Sequence, residues 1–147
     1  MNIVRKPSDD EPGDDLLRRL LREAETIAVV GLSTNPEKDS HRVARYLQEH
    51  GYRIIPVNPT ASEILGEKAY ASLPDIPAEI SIDIVDIFRK AEDVDPVVEE
   101  AVKRRPGAVW MQLGIVNVAA AAVARKAGIP VVMDKCIMVE HARLVGR

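Results

Sequence analysis

The sequence predicts an α/β domain of three layers, built on a doubly wound sheet of about five parallel strands. Short, wholly apolar runs recur along the chain, and such runs suit strands buried on both faces, as in a parallel sheet. Between them, apolar residues fall at helical spacing. No internal repeat or low-complexity tract competes with this alternation of strand and helix, which is the signature of βαβ units.

Residues 1–15 read as a loose acidic leader, with Pro12 and Gly13 breaking any regular pattern, and residues 16–147 as one domain. Leu16, Leu17, Leu20, Leu21 and Ala24 repeat at helical spacing, with Arg18, Arg19 and Arg22 opposite and Asp14 and Asp15 favouring the helix start. That helix is expected to cover the sheet. Ile27-Ala28-Val29-Val30 is a buried strand ending at Gly31, and a polar loop runs from Ser33 to Asp39. Val43, Ala44 and Leu47 mark a helix that stops at Gly51. Arg53 to Val57 is a second strand, and Pro56, which cannot donate to a ladder, places it towards the edge.

Glu63 to Leu73 reads as a short helix or turn plus a minor strand. Ile82 to Ile87 is the next strand. A helix carrying Val97, Val98, Ala101 and Val102 follows, with Asp95 as its cap and Pro96 in the first turn. Val109 to Leu113 is a strand, with Trp110 expected in the core. An alanine-rich helix from Asn117 to Lys126 ends at Gly128, and Ile129 to Met133 is the last strand.

At 147 residues the chain suits one domain and can bury roughly 68–70% of its unfolded surface without staples. A net charge of -3 removes any general reason to bind DNA or anionic membranes, so neither partner is expected. No run is long and apolar enough to span a bilayer, and the N-terminus lacks the apolar core of a signal peptide. One cysteine and three scattered histidines exclude an internal disulfide and a thiolate-rich metal site. A cytoplasmic protein without a structural metal is the expectation, and a homodimer fits so small a domain.

In a doubly wound sheet, ligands bind outside the carboxyl ends of the strands, where strand order reverses. The segments expected there are Gly31-Leu32-Ser33 with the loop to Arg42, Val57-Asn58-Pro59, Ile87-Phe88-Arg89 and Gln112-Leu113-Gly114. Gly31 lets the backbone turn tightly, and the helix after it offers amides and a positive dipole end to a phosphate. Ser33, Lys38, Ser40 and Arg42 add hydroxyls and cations, although the hydroxyls serve equally well as plain helix caps. Phe88 and Arg89 suit an adenine slot beside a phosphate, or a packed aromatic beside a solvated cation. Gln112 suits a ligand contact or a loop cap.

A complete G-x-G-x-x-G is absent, as is a G-x-x-x-x-G-K-[ST] loop. The second strand ends in Asn58, where a dinucleotide-binding domain presents Asp or Glu to the ribose, which disfavours NAD. Cys136 follows the last strand beside Lys135, a position for either an inert thiol or a reactive one. His141, after Glu140, reads as structural or surface-exposed. No Ser-His-Asp set or spaced carboxylate pair points to catalysis.

Five blocks taken in order carry a family resemblance that spans about Thr26 to Leu144. They are Ala28-Val29-Val30-Gly31-Leu32-Ser33, Gly51 to Pro59, Ile84 to Arg89, Val109 to Ile115, and Asp134-Lys135-Cys136 with Glu140-His141. With them the chain resembles the small stand-alone CoA-binding domain proteins, of Rossmann-like fold. It is more distantly similar to the CoA-binding domain of the succinyl-CoA synthetase α subunit. The resemblance implies coenzyme A or an acyl-CoA as ligand, with its phosphates over Gly31–Ser33 and its adenosine near Val57–Pro59 and Ile87–Arg89. Lys38, Ser40 and Arg42 would serve the phosphates, and Gln112–Gly114 would line the remaining side. Catalysis is not implied, because a synthetase also needs a phosphorylated histidine and an ATP-binding partner. The expectation is therefore a non-catalytic binding module, with thiol exchange at Cys136 as an added capacity. An NAD(P)-binding oxidoreductase or regulatory module, and a ligand-free domain contacting an unknown partner protein, stand as alternatives.

Overall fold

The apolar runs of the chain assemble into one parallel sheet with helices on both sides. The computed structural model describes residues 11–146. Its elements in chain order are α1 (Asp14–Glu23), β1 (Thr26–Val30), α2 (Asp39–Glu49), β2 (Arg53–Val57), β3 (Glu63–Ile64), β4 (Glu67–Lys68) and β5 (Ile84–Ile87). There follow α3 (Val94–Arg104), β6 (Ala108–Met111), α4 (Val118–Lys126), β7 (Val131–Val132) and α5 (Ile137–Leu144). Five strands pair in parallel in the order β2-β1-β5-β6-β7. The doubly wound fold is therefore as the sequence predicts.

Alternation along each strand divides the core into two layers. Ala28, Val30, Val85, Ile87, Val109 and Met111 join Val94, Val98 and Ala101 of α3 and Ala120 and Ala124 of α4. Ile27, Val29, Ile84, Trp110 and Val132 join Leu17 and Leu21 of α1, Val43 and Leu47 of α2, and Ile137 and Leu144 of α5. Because α2 leaves β1 on one face and α3 leaves β5 on the other, the switch point opens between the carboxyl ends of β1 and β5.

Strand β2 lies at the edge, where Pro56 needs no donor; its carbonyl accepts from the Tyr70 amide at 3.0 Å across the outer side. The segment from Glu63 forms the hairpin β3–β4, with no helix in it. Leu65 at φ 55 and Gly66 at φ 75 make its two-residue turn, which suits strand twist. A single 3-10 turn follows at Leu73–Asp75. Helix α3 begins at Val94 with Asp93, not Asp95, in the cap position, and Pro96 is tolerated in a first turn whose amides lack helical partners. Asn117 caps α4, its side chain accepting from the Ala120 amide at 2.9 Å.

Helix α1 starts at Asp14, so the last two residues of the predicted leader form its first turn, and residues 1–10 lie outside the described part. Helix α5 has no counterpart among the predicted elements. Its buried positions Ile137, Glu140, His141 and Leu144 keep helical spacing, but two of the four are polar and hide the stripe. No helix among the described residues is long and apolar enough to cross a membrane.

Candidate functional site at the switch point

Gly31 ends β1 where the carboxyl ends of β2, β1 and β5 lie side by side. Its amide donates to the Val57 carbonyl at 3.0 Å, and the Phe88 amide donates to the Val30 carbonyl at 2.8 Å. It sits at φ +86, and a Cβ there would lie 2.1 Å from the Phe88 carbonyl oxygen. Backbone cannot yield that much, so only glycine lets the β1–α2 loop rest on the end of β5.

The loop beyond is wound by its own side chains. Ser40 Oγ accepts from the Ser33 amide at 2.9 Å, Ser33 Oγ from the Asn35 amide at 3.0 Å, and Asn35 Oδ1 from the Glu37 amide at 3.0 Å. Arg42 donates to the Glu37 carbonyl at 2.8 Å and pairs with Asp39. Ser40 is buried and fixes the loop, whereas Lys38, at the helix cap, is exposed. The result is a rigid turn leading into the amino end of an eleven-residue helix, where the amides of the first turn and the dipole favour an anion.

Asn58 ties the second segment to the first. Its Nδ2 donates to the Leu32 carbonyl at 3.0 Å, while its Oδ1 accepts from the Thr60 amide at 2.9 Å and the Ala61 amide at 3.0 Å. An aspartate there would lose the donor to Leu32, so the amide has a structural reason independent of any ribose. Pro59 beside it is exposed. Phe88 is half-buried against the α2–α5 layer, and Arg89 next to it has a buried Nε without a partner among the described residues.

On the α2–α5 side of this junction lies a cleft of about 270 Å³. Asp39, Arg42 and Val43 form its α2 wall, Phe88 and Gln112 its floor at the ends of β5 and β6, and Leu113 and Ile115 one lip. Cys136, Met138 and Val139 close it from α5. Gln112 builds the α5 wall by accepting from the Ile137 amide at 3.1 Å, and Trp110, fully buried, donates to the Lys135 carbonyl at 2.8 Å. The Gly114 amide donates to Asp134 at 2.7 Å. Thus Arg42, Phe88, Gln112 and Cys136 meet in one cleft, whereas Gly31, Leu32, Val57, Asn58 and Ile87 form its scaffold at the switch point. Lys38, Pro59 and Arg89 stand outside the cleft lining. A larger depression of about 630 Å³, around Ile82, Asp83, Arg104 and Gly107, opens beside the amino ends of the strands. Ligands of such sheets bind at the opposite rim, so the smaller cleft is the relevant one.

Asp86 was not singled out from the sequence, and His141, read there as structural or surface-exposed, is buried with partners the sequence did not show. Asp86 pairs in register with Val29 and Trp110, is 0% exposed, and neither of its carboxyl oxygens has a partner among the described residues. Burial pushes its carboxyl well above the usual carboxylate range. It shares a sheet face with Phe88, two residues on, and so lies beneath the floor of the cleft. At the α2–α5 seam, Tyr46 Oη lies 2.9 Å from His141 Nδ1, and the His50 and His141 rings are 5.1 Å apart. Burial, then His50, lowers the pKa of His141, which is a structural residue.

A family model described as CoA binding domain matches residues 25–142. The protein YneT of Bacillus subtilis (strain 168), described as uncharacterized, is 43% identical over 131 residues, covering 89% of this chain and 96% of its own. The structure of a hypothetical protein from Pyrococcus horikoshii OT3 is similar at 40% identity and a TM-score of 0.89, over 99% of this chain and 100% of that one. The acetate–CoA ligase [ADP-forming] II subunit alpha of Pyrococcus furiosus is 38% identical over 65 residues, which are 44% of this chain but 14% of that subunit.

Proposed function

The chain belongs to the CoA-binding domain family, and from that membership we propose that it holds coenzyme A, free or acylated, as a non-catalytic binding module. The observation that carries the reading is the Gly31 junction, where a glycine without room for a Cβ sets a rigid loop against β5 and aims it into the start of α2. The phosphates rest over Gly31–Ser33 and the first turn of α2, with exposed Lys38 beside them and Arg42 exchanging its exposed pair with Asp39 for a phosphate oxygen. The adenosine end lies along Val57–Pro59 and Ile87–Arg89, where the buried Arg89 Nε has no partner among the described residues. The ligase likeness supports the ligand class and nothing of ligase chemistry, because this chain spans 14% of that subunit.

Isothermal titration of the reduced protein with CoA, dephospho-CoA and NAD+ tests the proposal. CoA is expected to bind most tightly, dephospho-CoA about tenfold more weakly for the loss of one charged contact, and NAD+ more weakly still. Binding of NAD+ in preference to CoA would overturn the reading and favour a dinucleotide module.

Cys136 supports an added capacity, because its thiol stands in the wall of the cleft. Its thiolate attacks CoA disulfide, one sulfur bond breaks as another forms, and one CoA leaves as the thiol while the other stays joined to Cys136. Intact mass after incubation with CoA disulfide should show one CoA adduct that dithiothreitol removes and Cys136→Ser lacks. An unmodified mass would refute the exchange.

A further inference from the structure

We infer that the cleft between α2 and α5 seats the acyl chain of a CoA thioester, a straight apolar chain of short to medium length. The inference rests on the CoA reading above and commits it to one class of thioester.

The lining argues for an apolar occupant. Val43, Phe88, Leu113, Ile115, Met138 and Val139 present carbon to the space. The polar side chains at its edge are partly engaged: Gln112 Oε1 accepts from the Ile137 amide, and Arg42 donates to the Glu37 carbonyl and pairs with Asp39. The pantetheine arm carries two amides and a hydroxyl, and burying these without partners is costly. A hydrocarbon chain meets no such penalty. Single exposed apolar residues are ordinary, but Leu113 at 70% and Val139 at 54% exposure stand at the two facing lips of one cleft. A chain laid between them removes both from water.

Size sets the length. At about 30 Å³ per non-hydrogen atom, the share of a water molecule in the liquid, the cleft's 270 Å³ holds roughly nine such atoms. That is too small for a nucleotide and suits a chain of about eight carbons. Continuity sets the direction, since Asp39, Arg42 and Val43 belong to the same first turns of α2 that receive the phosphate loop. A ligand anchored by its phosphates at the loop enters the cleft along α2.

Titration of the full chain with free CoA and its acetyl, butyryl, hexanoyl, octanoyl and dodecanoyl thioesters tests the inference. Affinity is expected to rise about twofold to fourfold per methylene as far as roughly eight carbons, then to level off as the chain leaves the cleft. Val139→Asp should cut the octanoyl-to-free-CoA affinity ratio by about tenfold, because it sets a charge at the lip. Leu113→Ser should cut it less. Both positions are exposed, so the fold tolerates the changes. Equal affinity for free CoA and every thioester would overturn the inference and leave CoA binding standing. An unchanged ratio in both variants would also overturn it. Failure of every CoA species to bind would remove the inference together with the reading beneath it.

Discussion

Asp86 and Asn58 are both polar residues within or at the end of a sheet strand, and they meet opposite fates. Half-buried Asn58 donates to Leu32 and accepts from Thr60 and Ala61, so the cost of its partial burial is offset. Asp86 has no such partner among the described residues, and the folded chain holds its proton more strongly than the unfolded chain does. Below its ordinary value of 3.8 the group is protonated in both states. As pH rises past that value the unfolded chain ionises first, so stability falls with pH until the folded carboxyl titrates as well. Asp86→Asn removes this dependence. Chemical denaturation of both proteins at about pH 4 and about pH 7.5 should show the variant gaining on the parent at the higher pH. A difference that stays constant would mean that Asp86 is paired or hydrated. Gly31 was legible in the sequence, because a glycine ending an apolar run marks a strand-to-loop turn. Asp86 was not, since neither its burial nor its lack of a partner follows from the alternation of Ile84-Val85-Asp86-Ile87.

Among the elements, α3 is fastened by a residue at its last turn. Arg104 donates from one nitrogen to the Leu73 and Ile76 carbonyls at 2.9 and 2.6 Å, and from the other to the Pro77 and Ile80 carbonyls at 2.9 and 3.1 Å. One guanidinium thereby satisfies four acceptors in the irregular segment between β4 and β5. Arg104→Met keeps the apolar stem and removes the donors. It should cost about 3 kcal/mol in urea unfolding, since hydrogen bonds from a charged group are the stronger kind and the carbonyls are left unpaired. A loss within about 0.5 kcal/mol, the range of ordinary surface changes, would show that water replaces the guanidinium. The strands and the helices of the βαβ units were legible from spacing alone. The hairpin β3–β4 was legible only as a turn with one minor strand, and helix α5 not at all. The hairpin strands have two residues each, too few to display alternation, and α5 buries Glu140 and His141 among its apolar positions. Both rely on contacts distant in sequence: Gln48 on the Leu65 carbonyl, Tyr46 on His141, and Arg143 on Asp14.

For the molecule as a whole, the strand order brings four segments far apart in sequence to one rim, as the doubly wound topology requires. That much of the site was readable, because any such sheet gathers its strand ends. The cleft was not readable, since one wall is α5 and its apolar lips come from the segment after β6 and from the first turn of α5. The central claim is the place of the phosphates, and amide chemical-shift mapping with ¹⁵N-labelled protein under CoA titration tests it most directly. The largest shifts should fall on Gly31 to Ser33, Asp39 to Arg42, and Phe88 to Arg89, with Ile80 to Asp83 and Lys103 to Gly107 undisturbed. Shifts centred on those last two segments, or none at saturating CoA, would contradict the placement.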